Sequence, residues 1–109
     1  MTIYQFVRTA IAHYGKEHQM VKGAEECNEL GQQYCKAALN QATRPNLVEE
    51  MADVLLMIEQ AKYAYSITDT EINQVVRAKI ERQLERIEAE KARLKTPLGK
   101  IGDRRAGSG

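Results

Sequence analysis

The chain has 109 residues, a formal net charge of +1 and no tryptophan. At this size, with a single style of patterning, it provides for one small helical domain and not for two. The near balance of Lys and Arg with Asp and Glu excludes a bulk electrostatic pull toward nucleic acid or an acidic membrane, although the C-terminal segment is locally basic.

Residues 2 to 14 place Ile3, Phe6, Val7, Ala10, Ile11 and Tyr14 at helical spacing, and Gly15 ends the pattern. A second helix is predicted from Lys16 to about Leu39, with Met20, Ala24, Cys27, Leu30, Tyr34 and Ala38 on its inner face. Gly23 and Gly31 interrupt it and allow close approach of a neighbouring helix. Asn40 to Pro45 reads as a loop, and Asn46 followed by Glu49 is the expected N-cap of a third helix reaching about Tyr65. Its Val54 to Ile58 segment is apolar on nearly every side, so it is expected to be the most buried helix or one shared with a second subunit. Thr68 with Glu71 forms a capping-box pattern that opens a fourth helix carrying Ile72, Val75, Val76, Ile80, Leu84 and Ile87. A folded domain over 1–92 is thus expected, followed by a basic, disordered tail over 93–109. β-type alternation is absent, and the expected class is all-α.

Several chemistries lack their residues. Cys27 and Cys35 lie roughly 12 Å apart along one helix axis, too far for an intrahelical disulfide, and are expected as buried, reduced thiols. With no Cys-x-x-Cys and only His13 and His18, a structural zinc site has no ligand set. No stretch approaches the roughly 18 to 20 apolar residues of a membrane span, and no basic start precedes an apolar run at the N-terminus. The expected setting is therefore cytoplasmic.

The pattern that carries chemistry is acidic. Glu26 and Glu29 stand three apart on the second predicted helix, and Glu50 and Asp53 three apart on the third. Residues at that spacing are surface neighbours, about 60° apart around the axis. Each pair flanks an apolar seam: Cys27, Leu30, Tyr34 and Ala38 on one helix, Leu47, Met51, Val54 and Ile58 on the other. Antiparallel packing through those seams brings all four carboxylates to the rim of the joint, where like charges need cations between them. A single Glu-x-x-Glu is ordinarily a solvated face; two pairs in register with their apolar stripes are less common. Carboxylate oxygens suit Mg²⁺, with Mn²⁺ as a substitute.

The segment Glu25-Glu26-Cys27-Asn28-Glu29-Leu30, a loop, and then Glu49-Glu50-Met51-Ala52-Asp53-Val54-Leu55 resembles the signature of MazG-like nucleotide pyrophosphohydrolases. Upstream, Tyr14-Gly15-Lys16-Glu17-His18-Gln19 is similar to the small, phage-type members, and the likeness spans most of residues 3 to 90. The resemblance implies a four-helix bundle-like, all-α fold assembled as a homodimer or homotetramer. It also implies Mg²⁺-dependent cleavage of nucleoside triphosphates between the α- and β-phosphates, giving a monophosphate and pyrophosphate. Clearance of noncanonical or excess (deoxy)nucleotides is the role expected by analogy with the family. The implied ligands are Glu26, Glu29, Glu50 and Asp53, with Glu25 and Glu49 just outside the edge and Glu26 also positioning the attacking water.

The fourth helix offers a basic stripe of Lys79, Arg82 and Arg86, and the resemblance favours Lys79 and Arg82 as phosphate contacts. The interleaved Glu81, Glu85 and Glu88 offer a plainer account, with the stripe forming intrahelical pairs on a solvated face. Lys22, one turn before Glu26, is within reach of substrate or simply a surface lysine. His13 and His18 read as surface or partly buried residues, and Tyr4, Tyr14, Tyr34, Tyr63 and Tyr65 as core. Two rival readings stand beside the first: a phosphoribosyl-ATP pyrophosphohydrolase of related fold, and a non-catalytic helical oligomer that binds metal or nucleotide. A diiron bundle requires Glu-x-x-His motifs, which neither histidine supplies.

Overall fold

The computed structural model describes residues 1–95 and contains four α-helices and no strand among them. They are α1 (Ile3–Tyr14), α2 (Lys16–Ala38), α3 (Arg44–Tyr65) and α4 (Asp69–Lys95). The chain divides into two units, Met1–Thr68 with α1 to α3 and a second unit from Asp69 onward that holds α4. The tail expected over 93–109 lies outside the described residues from 96 on, while Arg93, Leu94 and Lys95 close α4.

Local signals explain most boundaries. Thr2 caps α1 in a full capping box, its hydroxyl accepting from the Gln5 backbone N–H at 3.0 Å and its own N–H donating to Gln5 Oε1 at 2.8 Å. Gly15 separates α1 from α2 at φ 92°, a left-handed value that a side chain disfavours, while its N–H closes α1 on Ile11 O. The start of α3 differs from the expectation. Thr43 is the N-cap, its hydroxyl accepting from Asn46 N, and Pro45 lies in the first turn, where a missing N–H costs nothing. Asn46 is therefore inside the helix. α4 begins at Asp69, directly after Thr68, with Asp69 and Glu71 at its positive end and Arg93 and Lys95 at its negative end.

In the first unit α2 packs on α3, and α1 lies against both. Val7 and Ala10 of α1 form the buried apolar core, and Tyr4 meets Tyr63 edge-on at 5.9 Å to tie α1 to α3. The α2 to α3 joint corrects the sequence expectation. It runs close to the acidic edges themselves, so that Glu26 is buried, while much of the two apolar seams faces outward: Cys27, Tyr34, Ala38, Met51 and Ile58 are exposed. Leu30, Leu47 and Val54 are half-buried. At Gly23, Met57 of α3 packs directly over α2, where a Cβ would stand 3.6 Å from it, an ordinary contact distance. No atom lies within 4 Å of the corresponding point on Gly31.

Three further expectations change for the same reason. The thiols of Cys27 and Cys35 are exposed, because the part of α2 that carries them is left uncovered. α3 is not a buried apolar rod: Gln60 is its fully buried residue, and Leu55 is 63% exposed. None of the five tyrosines is core.

Candidate metal centre and cleft

The antiparallel joint pairs polar residues at matching steps along α2 and α3. Gln19 Nε2 donates to Gln60 Oε1 at 2.7 Å, Gly23 opposes Met57, and the Glu26 carboxyl is hydrogen-bonded to that of Asp53. One turn further on, Glu26, Glu29 and Glu50 each bring a carboxylate oxygen within 4.8 Å of the others. Glu49, Glu50 and Asp53 do the same, so Glu50 belongs to both groups. The four acids singled out by spacing thus form one cluster, with Glu49 joining it and Glu25 beside Lys22.

Electrostatics marks the cluster as an assembly under repulsion. Burial pushes the Glu26 carboxyl up to about 7, helped by its hydrogen bonds to Asp53 and Glu29 and by their negative charge. Glu50 is also raised, first by desolvation and then by Glu29, Asp53 and Glu49. Its Oε2 is buried without a hydrogen-bond partner. An acceptor taken out of water and left unpaired is costly unless a cation or a donor completes it. The donor set is entirely hard oxygen, which suits Mg²⁺ or Mn²⁺ and disfavours soft metals. The residues present therefore fit a hard divalent cation.

Lys22 extends over this end, its Nζ 3.8 Å from Glu26 and 3.8 Å from Glu25. From there a cleft of about 1010 Å³ opens within the first unit. Glu26, Asp53 and Lys22 line one end; Gln19, Gln60, Phe6, Tyr14 and His18 line the rest. His18 stacks on Tyr14 at 5.1 Å with an interplanar angle of 14°, and His13 meets Tyr14 edge-on at 4.6 Å. Both histidines line the cleft, although as side chains they are exposed.

Lys79 and Arg82 lie on α4, in the second unit, and are described there alone. Among the described residues neither is ion-paired to the interleaved glutamates; Arg86 donates to Gln83 at 3.4 Å, and Lys91 pairs with Glu88 at 3.6 Å. Sequence reasoning missed the amide pair. Its signal was spacing: Gln19 stands two turns before Glu26 and Gln60 two turns after Asp53.

No helix among the described residues is long and apolar enough to cross a membrane. Comparison with known proteins finds no matching family model, no similar curated protein and no similar solved structure.

Proposed function

We propose that this protein is a Mg²⁺-dependent nucleotide pyrophosphohydrolase that splits (deoxy)nucleoside triphosphates into a monophosphate and pyrophosphate. The observation that carries the reading is the clustering of Glu26, Glu29, Glu50 and Asp53, two of which, Glu26 and Asp53, line a cleft large enough for a nucleotide. The MazG-like resemblance of the same two segments supplies the reaction and its position on the phosphate chain.

On this reading Glu26, Glu29, Glu50 and Asp53 would hold Mg²⁺, which would supply charge neutralisation for the triphosphate and a bound water of lowered pKa. Glu26 orients that water, since it is buried, lines the cleft and hydrogen-bonds to two of the other acids. Lys22 keeps positive charge at the acid end of the cleft for the phosphate oxygens. The assignment of Lys79 and Arg82 to phosphate contacts rests on the resemblance.

The protein works on this reading as a homo-oligomer. Val48, Met51, Leu55 and Ile58 make an exposed apolar stripe on α3, and Val7 and Ala10 alone are fully buried apolar residues among those described. A second copy covering the stripe supplies the core that the first unit lacks.

The test is a panel of ribo- and deoxyribonucleoside triphosphates with Mg²⁺, with and without chelator, products resolved by chromatography. Chelator-sensitive release of monophosphate and pyrophosphate is the expected result. Absence of turnover in folded, Mg²⁺-binding protein overturns the enzymatic reading in favour of a non-catalytic binding module. Turnover of phosphoribosyl-ATP alone shifts it to that rival enzyme.

A further inference from the structure

The cleft has a second built end, and it is made of amides. Gln19 is 5% exposed and Gln60 is 1% exposed, yet both line the open space. Two buried primary amides in a chain whose fully buried apolar residues are so few demand an account, because leucines at these positions would pack at no polar cost.

Their hydrogen bonds are directional. His18 Nδ1 lies 2.7 Å from Gln19 Oε1, and Gln19 Nε2 donates to Gln60 Oε1 at 2.7 Å. With an oxygen facing it, Nδ1 carries the proton and donates, which orients Gln19 and through it Gln60. The relay consumes both ends of Gln19 and the oxygen of Gln60. It leaves the Nε2 group of Gln60 as the amide donor not used by the relay, on a side chain that lines the cleft. The walls beside it are flat and aromatic: Phe6 and the Tyr14–His18 stack. A donor on the floor between aromatic walls recognises a flat heterocycle by a carbonyl oxygen on its edge.

The spacing agrees with that occupant. Gln19 and Gln60 each stand two helical turns from the acid pair on their own helix, about 10 Å along the axis, which leaves room for a sugar between a base at the amides and phosphates at Glu26 and Asp53. We propose that Gln19 and Gln60 form the base-reading floor of the cleft and that Gln60 Nε2 selects nucleotides whose base carries a ring carbonyl over those with an amino group at the same place. This inference rests on the nucleotide reading of the cleft and names the substrate class within it.

The experiment separates the two. Calorimetric titration of the full chain in EDTA with UMP against CMP, and with IMP against AMP, measures base recognition with no metal and no turnover. Expected is a preference of at least about tenfold for UMP and for IMP, the loss that follows when a buried donor meets another donor. Gln60→Met retains the fold and abolishes both preferences, and Gln60→Glu, which replaces the donor by an acceptor, reverses them; circular dichroism verifies folding. Equal or reversed affinities in either pair overturn the proposal, as does a folded variant with the wild-type ratio. Triphosphate hydrolysis without base preference leaves the catalytic reading standing and removes this one. Preference without hydrolysis does the opposite.

Discussion

Gln19 Nε2 donates to Gln60 Oε1 at 2.7 Å across 41 residues of sequence, in the same helical register that brings Glu26 to Asp53. One antiparallel joint therefore aligns an amide pair and an acid pair two turns apart, and both face the same cleft.

That amide bond makes a thermodynamic prediction. Gln19→Leu alone strands the Gln60 oxygen in the interior and is expected to cost about 1–3 kcal/mol. Joining it with Gln60→Leu removes both polar groups, so the double variant costs less than the two single losses combined. Urea denaturation of the four proteins checks this; strictly additive losses would show that the bond does not couple the helices.

The acid cluster predicts linkage between protons and metal. With its pKa raised from 4.5 to about 7, folded Glu26 holds a proton that the unfolded chain has already released. Metal-free protein therefore loses stability as pH rises through that window and levels off above it. Mg²⁺ binding requires the carboxylates and so expels protons at pH 6 but not at pH 8.5. Calorimetry in two buffers of different ionisation enthalpy reads the release; a buffer-independent heat at pH 6 contradicts it.

Glu50 is the acid shared by both three-residue groups, and one of its oxygens is buried without a partner. Glu50→Gln keeps the shape and removes a charge. Its metal-free melting temperature is expected to rise, Mg²⁺ affinity to fall at least about tenfold, and chelator-sensitive hydrolysis to disappear. Thermal melts with and without Mg²⁺ separate this from a structural role, in which stability and activity fall together.

Met57 of α3 packs over Gly23 of α2. A methyl group there meets Met57 at an ordinary contact distance of 3.6 Å, so Gly23→Ala is expected to stabilise by up to about 1 kcal/mol through helix propensity. Gly23→Leu overfills the joint, at a cost of about 1–3 kcal/mol, and separates the acid pairs. Chemical denaturation and Mg²⁺ affinity, measured together, distinguish the two. Tolerance of Leu with unchanged metal binding would deny the close approach.

The cap of α3 offers a simpler comparison. Thr43→Ala removes the hydroxyl that accepts from Asn46 N and is expected to cost about 0.5–2 kcal/mol. Asn46→Ala, one turn inside the helix, should cost much less. Equal losses would return the cap to Asn46.

The sequence by itself determined the four helices, because apolar periodicity, Gly15 and the Thr2 cap act within a few residues of chain. It also determined the two acid pairs, since spacing of three on a helix is fixed by the helix. Rotation of one helix against another was decided only in the tertiary structure. The apolar seams and the acidic edges overlap around each helix, and the joint formed with Met57 over Gly23, which leaves Glu26 buried and Met51 and Ile58 exposed. Gln19 and Gln60 illustrate the same limit: their spacing of two turns from Glu26 and Asp53 is in the sequence, but which faces of the two helices meet, and so the amide bond itself, is decided by the joint.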